Sequence, residues 1–201
     1  LVTNQDDWKT SDYSPVLSND FYLGTSYDAR IARAIDGWNQ PGYNDSAWTT
    51  PEIVQYPGEV LPGDSSIAYF TPQYYKLAVN GEDSFKYSEI VPAEEDDVYD
   101  TGHVVREPVD VHGDILLKAG ETLILDLGQN ISGVTETVCS GEEGTVMTIR
   151  HAEMLNDGYL NEKYSDGGSD GPRETLYTVA LKSAANTDRY VFAGGGQETF
   201  L

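Results

Sequence analysis

Cysteine occurs once, at Cys139, so no disulfide can close within the 201 residues and the fold does not depend on oxidation. That suits a cytosolic protein and tilts the expectation slightly toward the cytoplasm, although a secreted β protein also manages without cystines. Basic residues are scarce: twelve Lys and Arg face thirty-four Asp and Glu, a formal charge of −22. A surface this negative repels phosphate backbones and anionic lipid, which argues against nucleic acid and membrane partners and leaves neutral ligands such as sugars. No run approaches the roughly 18 apolar residues of a membrane helix, and no basic-then-apolar signal segment opens the chain. HExxH and GxxxxGK[ST] are both missing, and Cys139 has no His arranged as a nucleophile's partner. The chain opens on Leu1 rather than Met, which suggests a processed product or a piece of something longer.

What is present favours strands. Fourteen Tyr against two Met is a composition for pleated sheets rather than helical bundles, and 39% hydrophobic residues suffice for a core. Strand-like runs recur with turn signals between them: "IAYFTPQYYKLAV" at 67–79, "HVVREPVDV", "DILLKAG", "ETLILDLGQ", "VTETVCS", "GTVMTIRHAEML", "ETLYTVALKS" and "DRYVFAGG". Asn80-Gly81 and Asn156-Asp157-Gly158 read as hairpin turns. The pattern predicts an all-β sandwich or barrel. "YDARIARAI" is the best short helix candidate, although "ARIAR" also alternates like a strand. The Pro-rich stretch "PEIVQYPGEVLPGDSS" at 51–66 reads as an extended linker, placing a module boundary near residue 65.

Few constellations carry chemistry. "DGGSDG" at 166–171 fails the calcium-loop pattern, with Gly168 at its third position and Tyr177 at its twelfth. The acid run 94–97 cannot converge on one ion from a strand, because neighbours point to opposite faces. His151 and Glu153 share strand spacing, but no nucleophile or second carboxylate accompanies them, so no catalytic residue is assigned. Asp28, Arg30, Trp38 and Trp48 lie close together in loop-like context. Indole faces stack on sugar rings while carboxylates and Arg bond hydroxyls, so Asp28, Arg30 and Trp38 are carbohydrate-binding candidates. The competing reading makes both Trp core residues and Asp28–Arg30 a structural ion pair.

Several stretches, taken in order, resemble the non-catalytic N-terminal region of bacterial α-L-rhamnosidases. "YLGTSYDARIARAIDGWNQPGYNDSAW" is similar to a family segment in which Tyr-Asp-Ala-Arg precedes Gly-Trp and an Asp-Asp-Ser-x-Trp-like turn. "LDLGQNISGV" resembles its Asp-x-Gly-Gln-Asn-x-x-Gly strand and loop; "GTVMTIRHAEML", "DGYLN" and "DRYVFAGGG" then follow in the family's order. Such enzymes hydrolyse terminal α-L-rhamnose with inversion, using carboxylates on a downstream (α/α)₆ barrel. The resemblance implies that residues 1–65 close a lectin-like sandwich, a domain type that in some members binds rhamnose with calcium. Residues 66–201 become a second β-sandwich preceding the barrel, and Gln129 and Asn130 become candidate sugar contacts. Where the family shows Glu after Gly, Thr25 follows Gly24, which removes a carboxylate from any calcium or sugar site. No cofactor is expected from the residues themselves.

The expected protein is therefore a pair of modules ancillary to a rhamnosidase, inactive alone, with carbohydrate and the rest of the parent enzyme as partners. A cut strand edge would also favour a homodimer. Two alternatives are a stand-alone rhamnose-binding module and an acidic surface or adhesion sandwich with no enzyme attached.

Overall fold

A computed structural model describes residues 7–52, 58, 83–131, 133–161, 163–164 and 169–201. Most of the expected linker, the boundary near residue 65, the strand at 67–79, the Asn80-Gly81 turn and part of the 166–171 loop lie outside the described residues. Nine strands and one short α-helix are seen among the described residues, an all-β architecture. They are β1 (Val16–Asp20), β2 (Gly24–Asp28), α1 (Ala29–Ala34), β3 (Phe85–Val91), β4 (His103–Pro108), β5 (Thr122–Ile124), β6 (Thr137–Cys139), β7 (Val146–Arg150), β8 (Thr187–Val191) and β9 (Glu198–Phe200).

A four-stranded sheet has the order β1-β2-β8-β7, and β6 pairs with β9 in a two-stranded sheet. The two meet face to face. Alternation along β7 turns Met147 and Ile149 inward and leaves Val146, Thr148 and Arg150 in solvent, as the period of two requires. On the inner face Tyr27 lies parallel to Tyr190, ring centroids 5.7 Å apart, and Tyr190 meets Phe200 of β9 at 5.0 Å. Ala29, Phe192, Ala193 and Cys139 complete this core. It is a small sandwich, built from aromatic area rather than aliphatic volume.

The three-stranded sheet β4-β3-β5 has its own core of Phe85, Val104 and Ile124, with Tyr87, Leu155 and Leu176 against it. Arg106 lies over the Phe85 ring, 5.4 Å from its centroid.

The parallel pairing of β2 with β8 (Ser26 beside Arg189, Tyr27 beside Tyr190) places residues from both sides of position 65 in one sheet. Gly24 permits this. Its φ is +99°, and a Cβ there would collide with the Thr187 carbonyl. The "ARIARA" segment resolves as helix because Asp28, ending β2 in extended geometry, caps it by accepting from the Arg30 N–H.

Two expected strands do not form. Residues 114–120 find no partner ladder, and Lys118 and Glu121 instead close a turn, the Lys118 N–H donating to Glu121 Oε2 at 2.8 Å. Residues 174–183 are interrupted at Glu174 (φ +69°), make one bridge from Leu176 to Leu155, and end in a 3₁₀ turn, Val179–Leu181. Asn156 is likewise no simple hairpin residue. It is buried, and its amide donates to Thr175 Oγ1 (2.9 Å) and the Leu176 carbonyl (3.0 Å) while accepting from the Asp170 N–H (2.8 Å).

Candidate functional site

The chain leaving α1 makes a series of turns. The Trp38 N–H donates to the Ile35 carbonyl (3.0 Å), Gln40 to Gly37 (2.9 Å), Tyr43 to Gln40 (3.3 Å) and Trp48 to Asp45 (3.0 Å). Gly37 (φ +77°) and Gly42 (φ +89°) supply the left-handed backbone these reversals need. The loop is pinned at its end by paired Thr10–Thr49 backbone bonds and by the Lys9–Asp45 ion pair at 2.7 Å. It gathers three aromatics: Trp38 and Trp48 lie 6.5 Å apart at 32°, and Tyr43 approaches Trp48 to 5.9 Å. Trp38 is 55% exposed. An indole held by neighbours yet open on its face suits stacking against the C–H face of a sugar.

Asp28 and Arg30 are brought together as a fork. Arg30 Nε donates to Asp28 Oδ1 at 3.0 Å and Nη2 to Oδ2 at 2.7 Å, while Oδ1 also takes the Arg30 N–H. Asp28 is only 6% exposed. The Arg30 guanidinium, against the opposing effect of burial, holds its carboxyl below the usual range. Both carboxylate oxygens are thus occupied in capping and pairing, whereas the Arg30 side chain remains 46% exposed.

Gln129 and Asn130 sit elsewhere, on the loop after β5, and are exposed. That loop is shaped by an Asp turn in which the Gly128 N–H donates to Asp126 Oδ1 at 2.7 Å. It is anchored by the Asp126 N–H donating to the buried Ser84 Oγ at 3.1 Å. No hydrogen bond, ion pair or ring contact among the described residues joins Gln129 or Asn130 to Trp38 or Arg30. Among the described residues no three His, Cys, Asp or Glu gather to hold a metal ion. At the position after Gly24, the Thr25 N–H donates to Asp188 Oδ1 at 2.7 Å. His151 Nε2 lies 3.4 Å from Thr135 Oγ1.

A second aromatic group escaped sequence reasoning. Tyr99 and Tyr159 flank Tyr164 at 5.4 and 6.4 Å, with Lys163 over Tyr164 and Arg173 over Tyr159. These tyrosines come from loops 60 residues apart, so only the abundance of Tyr hinted at them.

Residues 1–68 match the family model described as the α-L-rhamnosidase N-terminal domain, and residues 117–201 match the bacterial α-L-rhamnosidase concanavalin-like domain. An α-L-rhamnosidase of Streptomyces avermitilis is 32% identical over 199 residues, covering 99% of this chain. The chain belongs to the bacterial α-L-rhamnosidase family. It spans 14% of the length of that Streptomyces relative. The crystal structure of Streptomyces avermitilis α-L-rhamnosidase complexed with L-rhamnose aligns with a TM-score of 0.51 and 28% identity, over 94% of this chain and 13% of that one. The α-L-rhamnosidase of Dictyoglumus thermophilum shares the fold, with a TM-score of 0.58 at 23% identity, over all of this chain and 17% of that one. On this rhamnosidase frame, α1 and the Trp38 loop fall in the N-terminal match. The Gln129-Asn130 loop falls in the concanavalin-like one.

Proposed function

We propose that this chain is an ancillary, non-catalytic β-sandwich region of an enzyme that hydrolyses terminal α-L-rhamnose from glycosides. It braces the catalytic domain and contacts carbohydrate through Trp38, with Arg30 and the Gln129-Asn130 amides as hydroxyl partners and Asp28 holding Arg30 in place. The observation that carries the sugar contact is the 55% exposed Trp38 ring, supported by Trp48 and Tyr43. The bracing role draws on apolar side chains left in solvent on the four-stranded sheet, Leu17 at 58% and Val146 at 54%. In this reading residues 1–65 are the closing part of the lectin-like domain and lend β1, β2 and α1 to the sandwich of residues 66–201. Strand β1 lies at a sheet edge, where a second copy can pair.

Titrating the chain with L-rhamnose while following tryptophan fluorescence and heat tests this. Saturable binding that Trp38→Ala abolishes is expected, with no release of nitrophenol from an aryl rhamnoside. A flat trace sinks the sugar contact, and released nitrophenol sinks the ancillary role.

A further inference from the structure

The outer face of the four-stranded sheet carries an unexpected charge. Thr148 lies opposite Arg189, and Arg150 opposite Thr187, in the antiparallel β7–β8 ladder. All four therefore project from the same face, the one opposite Met147, Ile149 and Tyr190. Arg150 and Arg189 are diagonal neighbours, about 7–8 Å apart at the backbone. With Lys182 and Thr178 they line a cleft of about 420 Å³, within the roughly 300–1,000 Å³ of small-ligand sites.

Three cations converge here in a chain of net charge −22. None of the seven ion pairs among the described residues uses any of them. Asp170 lies against the cleft wall at Thr178. Its carboxylate accepts the Thr178 hydroxyl at 2.7 Å and the Thr178 N–H at 3.1 Å, so it is engaged there rather than with the three cations. The backbone adds a second, independent sign. Lys182 is held at φ +56°, ψ −110°, a conformation a Cβ-bearing residue rarely adopts, and Asn186 a turn later is at φ +42°. Strain of this kind persists where surrounding structure enforces it, and binding sites are where it collects.

We infer that this cleft binds the carboxylate of an acidic sugar unit, with Arg150, Arg189 and Lys182 sharing the anion and the Thr148 and Thr187 hydroxyls meeting the ring hydroxyls. The anion rests on the cleft alone; the sugar rests on the carbohydrate reading above. Guanidinium groups match a carboxylate with paired hydrogen bonds, and an anion also relieves the mutual repulsion of the three cations. Inorganic sulfate offers negative charge and acceptor oxygens without the ring hydroxyls, so it is the discriminating probe.

The test titrates the chain at low ionic strength with D-glucuronate, inorganic sulfate and L-rhamnose, by calorimetry and by the NMR signals of the arginine side chains. Saturable glucuronate binding is expected. It should weaken at least tenfold in Arg189→Gln and in Arg150→Gln, weaken with added salt, and persist in Trp38→Ala. Near-ultraviolet circular dichroism checks that the variants remain folded, and Lys182→Gln, outside the strands, provides a variant that spares the ladder. Glucuronate binding that none of the three substitutions weakens, sulfate binding without glucuronate binding, or no binding of either overturns the inference. If L-rhamnose fails to bind while glucuronate binds through Arg189, the Trp38 reading falls and this one stands.

Discussion

Glu198 accepts the hydroxyl of Tyr190 at 2.9 Å, and the same carboxylate takes the N–H groups of Ala193 at 3.0 Å and Gly194 at 2.9 Å. One side chain thereby joins β9, the end of β8 and the glycine turn between them at the edge of the aromatic core. Burial pushes the Glu198 carboxyl up, but the Ala193 N–H, the Tyr190 hydroxyl, the Gly194 N–H and Arg33 outweigh it, leaving its pKa below the ordinary value. Burial and the Glu198 contact raise that of Tyr190.

Replacing Glu198 with Gln sets an amide NH₂ against donors it cannot accept from. The expected loss is about 2 kcal/mol, read from urea unfolding. Because the folded pKa is depressed, the stability Glu198 contributes is fully present above the ordinary glutamate value of about 4.3 and is lost as pH falls through the lower folded value. Protonating the many surface acids relieves their repulsion over the same range. The informative quantity is therefore the wild-type minus Glu198→Gln difference, which should shrink toward zero in acid. A difference constant with pH would remove the ionised carboxylate from the account.

Asp28 separates capping from pairing. Asp28→Asn keeps an oxygen for the α1 N-terminus and loses only a half-exposed ion pair, so it should cost under about 1 kcal/mol. Asp28→Ala loses both and should cost about 1–2 kcal/mol. Equal midpoints for the two variants in urea would show that the cap contributes nothing.

Gly24→Ala tests the parallel junction. A Cβ there meets the Thr187 carbonyl and, at 2.9 Å, Asp188 Oδ1, and φ is +99°. The strain alone costs about 1–3 kcal/mol. The expected readout is lowered thermal stability together with faster proteolysis of the β1–β2 hairpin, since β2 is what holds that hairpin against β8.

Asn156→Ala removes three side-chain hydrogen bonds in a buried position and should cost about 3 kcal/mol. Because its partners include Thr175 and Leu176, hydrogen exchange should accelerate across residues 170–178 while the Tyr190 core stays protected. Uniform acceleration through both sheets would show that the two cores unfold as one.

The sandwich was legible where alternation was clean. Met147 and Ile149 against Thr148 and Arg150, or Val104 against exposed Val105, announce strand and face together. Asp28 before "ARIARA" contained its helix start, although the local pattern alone left helix and strand open. Local rules failed where a distant partner decides the outcome. Asn156-Asp157-Gly158 looks like a hairpin turn in isolation, yet Asn156 is committed to Thr175 and Leu176. "ETLYTVALKS" has strand composition but only one bridging residue to pair with. Among the site residues, Asp28–Arg30 and Trp38–Trp48 were close in sequence and came together. The cationic cleft was invisible because a net charge of −22 averages over the face where Arg150, Lys182 and Arg189 meet.

The partnership of β2 with β8 joins residues such as Thr25 and Asp188, 163 positions apart. During translation the early hairpin emerges from the ribosome long before its neighbour has been synthesised, and distant pairings of this kind form slowly. For that interval the flank of β2 is open to any other unfinished copy on the same message. Crowding of nascent chains is therefore expected to lower the yield of correctly closed molecules, and slower initiation of synthesis to raise it.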